Sequence, residues 1–372
     1  MDIKFGVKKE LLLADVGKVV SIIEKGNRIA GIKDILCEIS SHSLGFFCTD
    51  TKTSVITDLE MDINIIAPFS FLILDARKFR QVIAEMAEGV ISISIIKNTL
   101  VLQQEGTKFV LNIDPDIRTY PLKPQQISET IMHTFAGNEF LGMLNKVAYA
   151  MARDESKWVL NTILMRHSGN TIDFRATDAI RLAQISCTNG SSVQHDDVVI
   201  SRDTFSVLSG VIDSKTSVKI YAGKRFLHCI NGKTNIIITL MDIEYPSFDI
   251  TPRNEFKNTI KISAKQLRAA LKKANIVNDE NNNIISLTFN NNSITTFARG
   301  KIGVSEDIIE CEYAGNEHTV AFDVLYLMDA INHIETENLL TSFDSTKTST
   351  PVLIEEDSDN GSYKNVIMAM AT

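Results

Sequence analysis

Residues 138–157 read NEFLGMLNKVAYAMARDESK, and in them Leu141, Leu144, Val147, Ala148 and Met151 recur at the three- and four-residue steps that line one face of a helix. Leu12, Val16, Val19 and Ile23 carry the same stripe near the N-terminus, and Leu267, Ala270, Leu271 and Ala274 carry it a third time. The leading leucines, Leu12, Leu141 and Leu267, stand 129 and 126 residues apart. A second helix is predicted after each stripe: residues 75–88 with Phe79, Val82, Ile83 and Met86, residues 201–215 with Phe205, Leu208 and Ile212, and residues 321–335 with Val324, Leu327, Met328 and Ile331. Phe79, Phe205 and Leu325 in this second series are 126 and 120 residues apart. Two helix series sharing one period predict three copies of a domain, each large enough to hold its own core.

The bulk properties agree. A length of 372 residues suits two or three domains, and 44% hydrophobic with 23% charged residues is the balance of a soluble globular protein. No run approaches 18 apolar residues, and the start, MDIKFGVKKE, lacks the order of a signal peptide, so a cytoplasmic protein without a membrane partner is expected. Cys37, Cys48, Cys187, Cys229 and Cys311 form no CxxC pair and are odd in number, which suits reduced, buried thiols. The net charge of −8 argues against a surface that grips nucleic acid by neutralising phosphates, although residues 263–274 carry Lys265, Arg268, Lys272 and Lys273 with no acid. A solvated helix face accounts for such a cluster equally well.

In chain order, Ile3, Phe5 and Val7 alternate in a strand that enters the first helix, and residues 130–135 and 259–263 repeat that entry. β-rich stretches at 35–39, 54–66, 161–165 and 284–289 lie between the paired helices, so each unit reads β-α-β-β-β, then α, then more strands. The short connections exclude parallel crossovers, which makes the fold α+β with antiparallel sheets. Two units end on an alternating strand that runs into Tyr120-Pro121 and Tyr245-Pro246; the third ends on a strand at the chain end, residues 363–372. With linkers at 122–126 and 252–258, the expected domains are residues 1–123, 124–253 and 254–372.

Catalytic and metal chemistry finds little support. The seven histidines lack metal-ligand spacing, and no GxSxG elbow occurs. Gly232-Lys233-Thr234 looks like the end of a phosphate loop, but Leu227 stands where its first glycine is needed, so a hairpin turn is expected. The carboxylates in residues 355–361, EEDSDNG, lack calcium-loop spacing, and Asn360-Gly361 is expected to be a tight turn.

Three further stretches, TDAIRLA at 177–183, YPSFDITP at 245–252 and VIMAM at 366–370, carry a resemblance. In order along the chain, Thr57-Asp58-Leu59-Glu60-Met61, Ala76-Arg77-Lys78-Phe79, Lys157-Trp158-Val159-Leu160-Asn161, the Thr-Asp-x-x-Arg-Leu-Ala motif at Thr177, Asp178, Arg181, Leu182 and Ala183, Tyr245-Pro246-Ser247-Phe248 and Met368-Ala369-Met370 resemble the bacterial sliding clamp, the β subunit of DNA polymerase III. The resemblance runs from Ile3 to Met370. It implies three tandem clamp-type domains, each of two helices packed on antiparallel sheets, and a head-to-tail homodimer forming a six-domain ring around duplex DNA. The implied function is non-catalytic: tethering the DNA polymerase III catalytic subunit, the clamp loader, other polymerases and repair proteins, which bind through linear peptides. No cofactor is expected, since loading energy comes from a partner ATPase.

Carried over by position, the resemblance implies a peptide-binding cleft of Leu160, Thr177, Arg181, Leu182, Pro246, Ile250, Tyr326, Pro351, Val366, Ile367, Met368 and Met370. The competing reading of residues 366–370 is an edge strand with core contacts. Facing DNA, sequence-independently, would be Lys25, Arg28, Arg77, Lys146, Arg153, Lys157, Arg202, Lys265, Arg268 and Lys272, each of which could equally be plain surface. Dimer closure would use Lys78, Val82, Phe109 and Leu111 on one side and Ile276 and Val277 on the other. Ala179-Ile180 stands where the family often has Gly-His, Asp249-Ile250 where basic residues are common, Ala369 in place of proline, and Ala371-Thr372 in place of Arg-Leu. These departures bear on affinity and peptide preference. Two other classes compete: a three-domain enzyme with an interdomain active site, and a peptide-binding scaffold that does not encircle DNA.

Overall fold

Strand, helix, four strands, helix, three strands: this order occurs three times in the computed structural model, which describes residues 2–24, 32–124, 131–188, 196–246, 250, 252–279, 283–346, 350–358 and 362–370. The first pass is β1 (Asp2–Lys8), α1 (Lys9–Glu24), β2 (Ile35–Ile39), β3 (Ser43–Thr49), β4 (Thr53–Glu60), β5 (Phe69–Ile73), α2 (Ala76–Glu85), β6 (Val90–Ile96), β7 (Thr99–Gln104) and β8 (Thr107–Asp114). The second is β9 (Ile131–Phe135), α3 (Gly137–Ala148), β10 (Thr162–Ser168), β11 (Thr171–Thr177), β12 (Arg181–Thr188), β13 (Val198–Ser201), α4 (Arg202–Val211), β14 (Val218–Ala222), β15 (Phe226–Asn231) and β16 (Thr234–Thr239). The third is β17 (Asn258–Ser263), α5 (Ala264–Val277), β18 (Ile284–Asn290), β19 (Ser293–Gly300), β20 (Gly303–Glu310), β21 (His318–Asp323), α6 (Val324–Asn332), β22 (Asn338–Phe343), β23 (Pro351–Glu356) and β24 (Tyr363–Met368).

Helix starts follow from capping chemistry. Asp75, Ser201, Ser263 and Asp323 each stand just before a helix, and their side-chain oxygens accept hydrogen bonds from the backbone N–H of Lys78, Thr204, Gln266, and both Leu325 and Tyr326. Two predicted helices and one predicted strand shift. The helix expected over 321–335 begins only at Val324, because Val320, Ala321 and Phe322 pair in β21 with β18 and Asp323 supplies the cap. The stretch read as a helix to residue 157 ends at Ala148, where Ala150 and Met151 close tight turns onto Val147 and Ala148. The strand expected over 54–66 stops at Glu60. A fourth strand, β5, β13 or β21, also precedes each second helix, one more than the sequence pattern suggested.

By contacts the chain forms two compact units, residues 1–142 with 200–242, and residues 143–199 with 243–372. The first holds a twelve-stranded sheet in the order β1-β6-β7-β8-β5-β2-β3-β4-β16-β15-β14-β9. Here β4 of the first repeat pairs antiparallel with β16 of the second, from Thr57↔Thr234 to Thr53↔Ile238. Leu12, Val16 and Val19 of α1 are fully buried, and Lys18 of α1 reaches Thr234 Oγ1 at 3.0 Å. On one face Tyr120 packs with Leu36, Phe47, Ile56, Leu72 and Ile237, and its hydroxyl donates to Asp34 O at 2.9 Å. The thiols of Cys37, Cys48 and Cys229 are free and buried, and burial pushes that of Cys229 up to about 12. Gly232, at φ 60°, turns the β15–β16 hairpin as expected.

The second unit contains an eight-stranded sheet, β13-β10-β11-β12-β24-β23-β22-β17, and a four-stranded one, β20-β19-β18-β21. The pairing of β12 with β24 repeats that of β4 with β16, from Ile185↔Tyr363 to Arg181↔Ile367. Helix α5 buries Leu267, Ala270, Leu271 and Ala274, the stripe read from the sequence, in a core shared with Phe289, Leu327 and Ile331. Gly300 lets the end of α5 lie on β19: a Cβ there would stand 1.7 Å from Val277 O. Because that obstacle is backbone, Gly300→Ala should destabilise the protein by about 2 kcal/mol, measured by chemical denaturation.

Candidate functional site

The TDAIR segment is the turn from β11 to β12. Thr177 Oγ1 donates to Arg181 O at 2.6 Å and accepts from Ala179 N at 3.0 Å, while Asp178 Oδ1 accepts from the N–H groups of Ile180 and Arg181. Ala179 sits at φ 77°, the left-handed region where a Cβ is unfavourable, which gives a physical reason for glycine at this position and a cost for alanine.

From this turn Arg181 enters the unit, only 4% exposed. Its Nε donates to Asp178 Oδ2 at 3.1 Å, Nη1 to Asp329 Oδ2 at 2.7 Å and Nη2 to Tyr149 O at 2.8 Å. The guanidinium also lies over the rings of Tyr326 at 4.3 Å and Tyr149 at 5.2 Å. Predicted as a cleft residue, Arg181 is thus a clasp that ties β12 to α6, each of its three nitrogens already donating. Tyr149 donates to Asn365 on β24 and stacks on His333 at 4.5 Å; the Tyr363 hydroxyl donates to Lys146 O at 2.9 Å. Burial raises the pKa of both tyrosines, keeping them neutral donors.

Tyr326 lies over the clasp, and β24 pairs with β12 and with Pro351 of β23 beside it. Leu160, Pro246, Ile250, Tyr326, Pro351 and Val366 are half-buried, Thr177 and Leu182 are buried, and Met368 and Met370 are 41% and 39% exposed. Backbone bonds hold the strand end in place: Met368 N donates to Ile180 O at 3.0 Å, Ala369 N to Thr350 O at 3.2 Å and Met370 N to Ala321 O at 2.8 Å. Ile367 departs from the expectation: strand alternation turns it into the core, 1% exposed. The sequence reading missed Ile180 and Leu325, both exposed apolar residues, the first bonded to the Met368 backbone. Asp249 and Thr372 lie outside the described residues, as do Ser247 and Phe248.

The proposed DNA-facing residues fall into distinct groups. Arg153, Lys157, Lys265 and Lys272 are exposed and Arg202 is half-buried. Three others are engaged within the chain. Lys146, with a side chain 13% exposed, pairs with Glu335 at 3.0 Å and Glu356 at 3.1 Å; Arg77 donates to Ile23 O; Arg268 donates to Ile331 O and Ile334 O at the end of α6. Their charges are therefore partly spent on internal contacts. Lys25 and Arg28 lie outside the described residues. In the EEDSDNG stretch Glu355 meets Arg253 at 2.6 Å, Glu356 meets Lys146 and Asp357 meets Lys261, while Asp359 and the expected turn at Asn360-Gly361 lie outside the described residues. Among the described residues no group of three or more His, Cys, Asp or Glu side chains could hold a metal ion.

Two strands combine a largely unpaired side with exposed apolar residues. In the four-stranded sheet β20 pairs only with β19, and Val304 and Ile308 on it are exposed, Ile308 at 66%; Ile276 on α5 is 71% exposed and Val277 half-buried. In the other unit β8 pairs with β7 along its length but with β5 only at Ile113 and Asp114. There Val110 is exposed, Phe109, Leu111 and Val82 are half-buried and Lys78 is exposed. Val110, Val304 and Ile308 were not picked out from the sequence, though their alternation in β8 and β20 is visible in it.

Three family descriptions match the chain in order: the N-terminal domain of the DNA polymerase III beta subunit over residues 3–121, its central domain over 134–247 and its C-terminal domain over 249–371. Among similar proteins, the beta sliding clamp of Pseudomonas aeruginosa is 23% identical, covering 98% of this chain and 99% of the relative, and that of Escherichia coli is 21% identical, covering 99% of each. Similar solved structures include a DNA polymerase sliding clamp from Pseudomonas aeruginosa, with a TM-score of 0.88 at 21% identity, and a DNA polymerase III beta chain from Streptococcus pneumoniae, with 0.90 at 20%. Both comparisons cover 100% of each chain.

At the TDAIR turn, Ala179→Gly should raise stability by about 1 kcal/mol, because glycine adopts the left-handed backbone without the Cβ penalty. Equilibrium urea denaturation of the two proteins measures it.

Proposed function

We propose a function from one premise: the chain belongs to the DNA polymerase III beta-subunit family, whose three domain descriptions match it in sequence order. It is a DNA sliding clamp, a non-catalytic processivity factor of DNA polymerase III. On this reading residues 1–123, 124–253 and 254–372 are its three domains, and two chains close head to tail into a six-domain ring around duplex DNA in the cytoplasm.

The observation that carries the reading is the threefold order of elements together with its rule of pairing. The third strand of each helix-enclosed group pairs with the last strand of the next repeat, β4 with β16 and β12 with β24. Applied once more, the rule leaves β20 without a following repeat and β8 without a preceding one. β20 is the edge of its sheet and β8 is unpaired on one side except where Ile113 and Asp114 meet β5, and both carry exposed apolar side chains. Antiparallel pairing of β20 with β8 of a second chain would satisfy both, with Ile276, Val277, Val304 and Ile308 facing Phe109, Val110, Leu111 and Val82. A closed ring also suits a net charge of −8. DNA is retained because it cannot leave sideways, so a few exposed basic side chains such as Arg153, Lys157, Lys265 and Lys272 suffice, and sequence is not read.

The apolar surface around Leu160, Leu182, Tyr326, Val366, Met368 and Met370 is the place for linear peptides of the polymerase catalytic subunit, the clamp loader, other polymerases and repair proteins. Its flexible methionines can repack around different apolar anchors. Arg181, 4% exposed, supports that surface through its internal bonds to Asp178, Asp329 and Tyr149. A scaffold that binds the same peptides without encircling DNA is the alternative, and one experiment separates the two. Loaded on nicked circular DNA by a clamp loader, the protein should remain bound through gel filtration and be released when the circle is linearised; loss from intact circles as fast as from linear DNA favours the scaffold.

Replacing Ile308 by aspartate places a charge in the proposed closure and should convert the dimer to monomer in sedimentation velocity, with the fold of each chain intact by circular dichroism.

A further inference from the structure

Where β4 meets β16, a cavity of about 360 Å³ opens beside the chain segment that leaves Tyr120, lined by Ile56, Asp58, Lys123, Pro124, His228, Asn235 and Ile237. Its volume is in the range of ordinary ligand pockets. The polar groups around it are unevenly satisfied. Lys123 is committed to Glu38 at 2.6 Å. The half-buried Asp58 carboxylate makes no side-chain hydrogen bond or ion pair among the described residues. His228 is 2% exposed; its Nε2 lies 3.2 Å from Asn235 Oδ1, while its Nδ1 has no partner. With the amide oxygen as acceptor, Nε2 carries the proton and Nδ1 the lone pair. Burial lowers the pKa of His228, which keeps the ring neutral near pH 7.

The buried His228 Nδ1 and the half-buried Asp58 carboxylate are thus both acceptors without a protein donor, and with Glu38 and Lys123 cancelling, the lining carries the single charge of Asp58. A matching ligand brings donors and positive charge. We propose that this cavity receives an arginine side chain presented by a partner polypeptide, with Asp58 as its carboxylate partner, His228 as a further acceptor, and Ile56, Ile237 and Pro124 beside its methylenes. A guanidinium fits better than an ammonium because its planar fork can bond a carboxylate bidentately and still donate elsewhere, and it is more weakly hydrated. The site rests on the cavity alone and is independent of the peptide surface on β12 and β24.

The test is isoleucine-methyl NMR on the full chain, titrated with N-acetyl-arginine N-methylamide and, as control, N-acetyl-norleucine N-methylamide. Saturable shifts at Ile56 and Ile237 with the arginine compound and not the control are expected. Asp58→Asn should weaken binding about tenfold or more, the equivalent of one lost charge-assisted bond, and Lys123→Met, which frees Glu38, should strengthen it. Unchanged methyl signals away from the cavity show that each variant is folded. No response at Ile56 and Ile237, equal response to norleucine, or binding indifferent to Asp58→Asn would overturn the proposal.

Discussion

Backbone groups at the edge of a β-sheet must find partners, and this chain meets that demand by pairing each repeat with the next. The β4–β16 and β12–β24 pairings are continuous antiparallel sheet, not contacts between finished domains. This is why contacts divide the chain through the middle repeat, within α3 and β13, rather than at the repeat boundaries. Each compact unit is centred on one seam. Side chains reinforce both: Lys18 to Thr234 and Thr53 to Thr204 in the first, Arg181 to Asp329 and Tyr149 to Asn365 in the second. The second seam is far more polar, and each of its charged members has an opposite charge within reach, which is the condition for burying them at tolerable cost.

Much of this was legible in the residues, and what was not has identifiable causes. The stripes of α1, α3 and α5 stood out because helix period and burial coincide, as at Leu267, Ala270, Leu271 and Ala274. The fourth strand of each repeat was hidden because runs such as Val320-Ala321-Phe322 are short and apolar throughout, so periodicity cannot assign them. Asp323, a capping residue, held the missing signal. At the candidate site, position along the chain located the right strands but not the direction of each side chain. Ile367 and Met368 are adjacent in sequence and opposite in exposure, and Arg181 lies beneath the surface it was expected to form. Lys146 is the same lesson in charge: the sequence shows a lysine on a helix, while its acidic partners, Glu335 and Glu356, come from the far end of the chain, Glu356 from 210 residues away.

The acidic balance and the DNA-bound function are reconciled by topology. A protein that adheres to a polyanion must concentrate cations, whereas one that surrounds it needs only to avoid repulsion on the enclosed side and remain shut. In the proposed closure the demand on the molecule moves from its basic side chains to its closing strands, and the apolar residues on β8 and β20 would matter more to holding DNA than any single lysine.

Sheets that run through repeat boundaries also limit how the molecule can be divided. A fragment ending near residue 123 would keep β4 but lose β16, baring a strand whose every residue but Asp58 and Glu60 is buried in the whole chain. Such a cut edge is a template for self-association. The three repeats are alike in pattern yet unsuited to life as separate proteins, so a lineage that shortened or lengthened this chain would have to do so by whole turns of the pairing scheme, keeping a complementary pair of strands at its two ends.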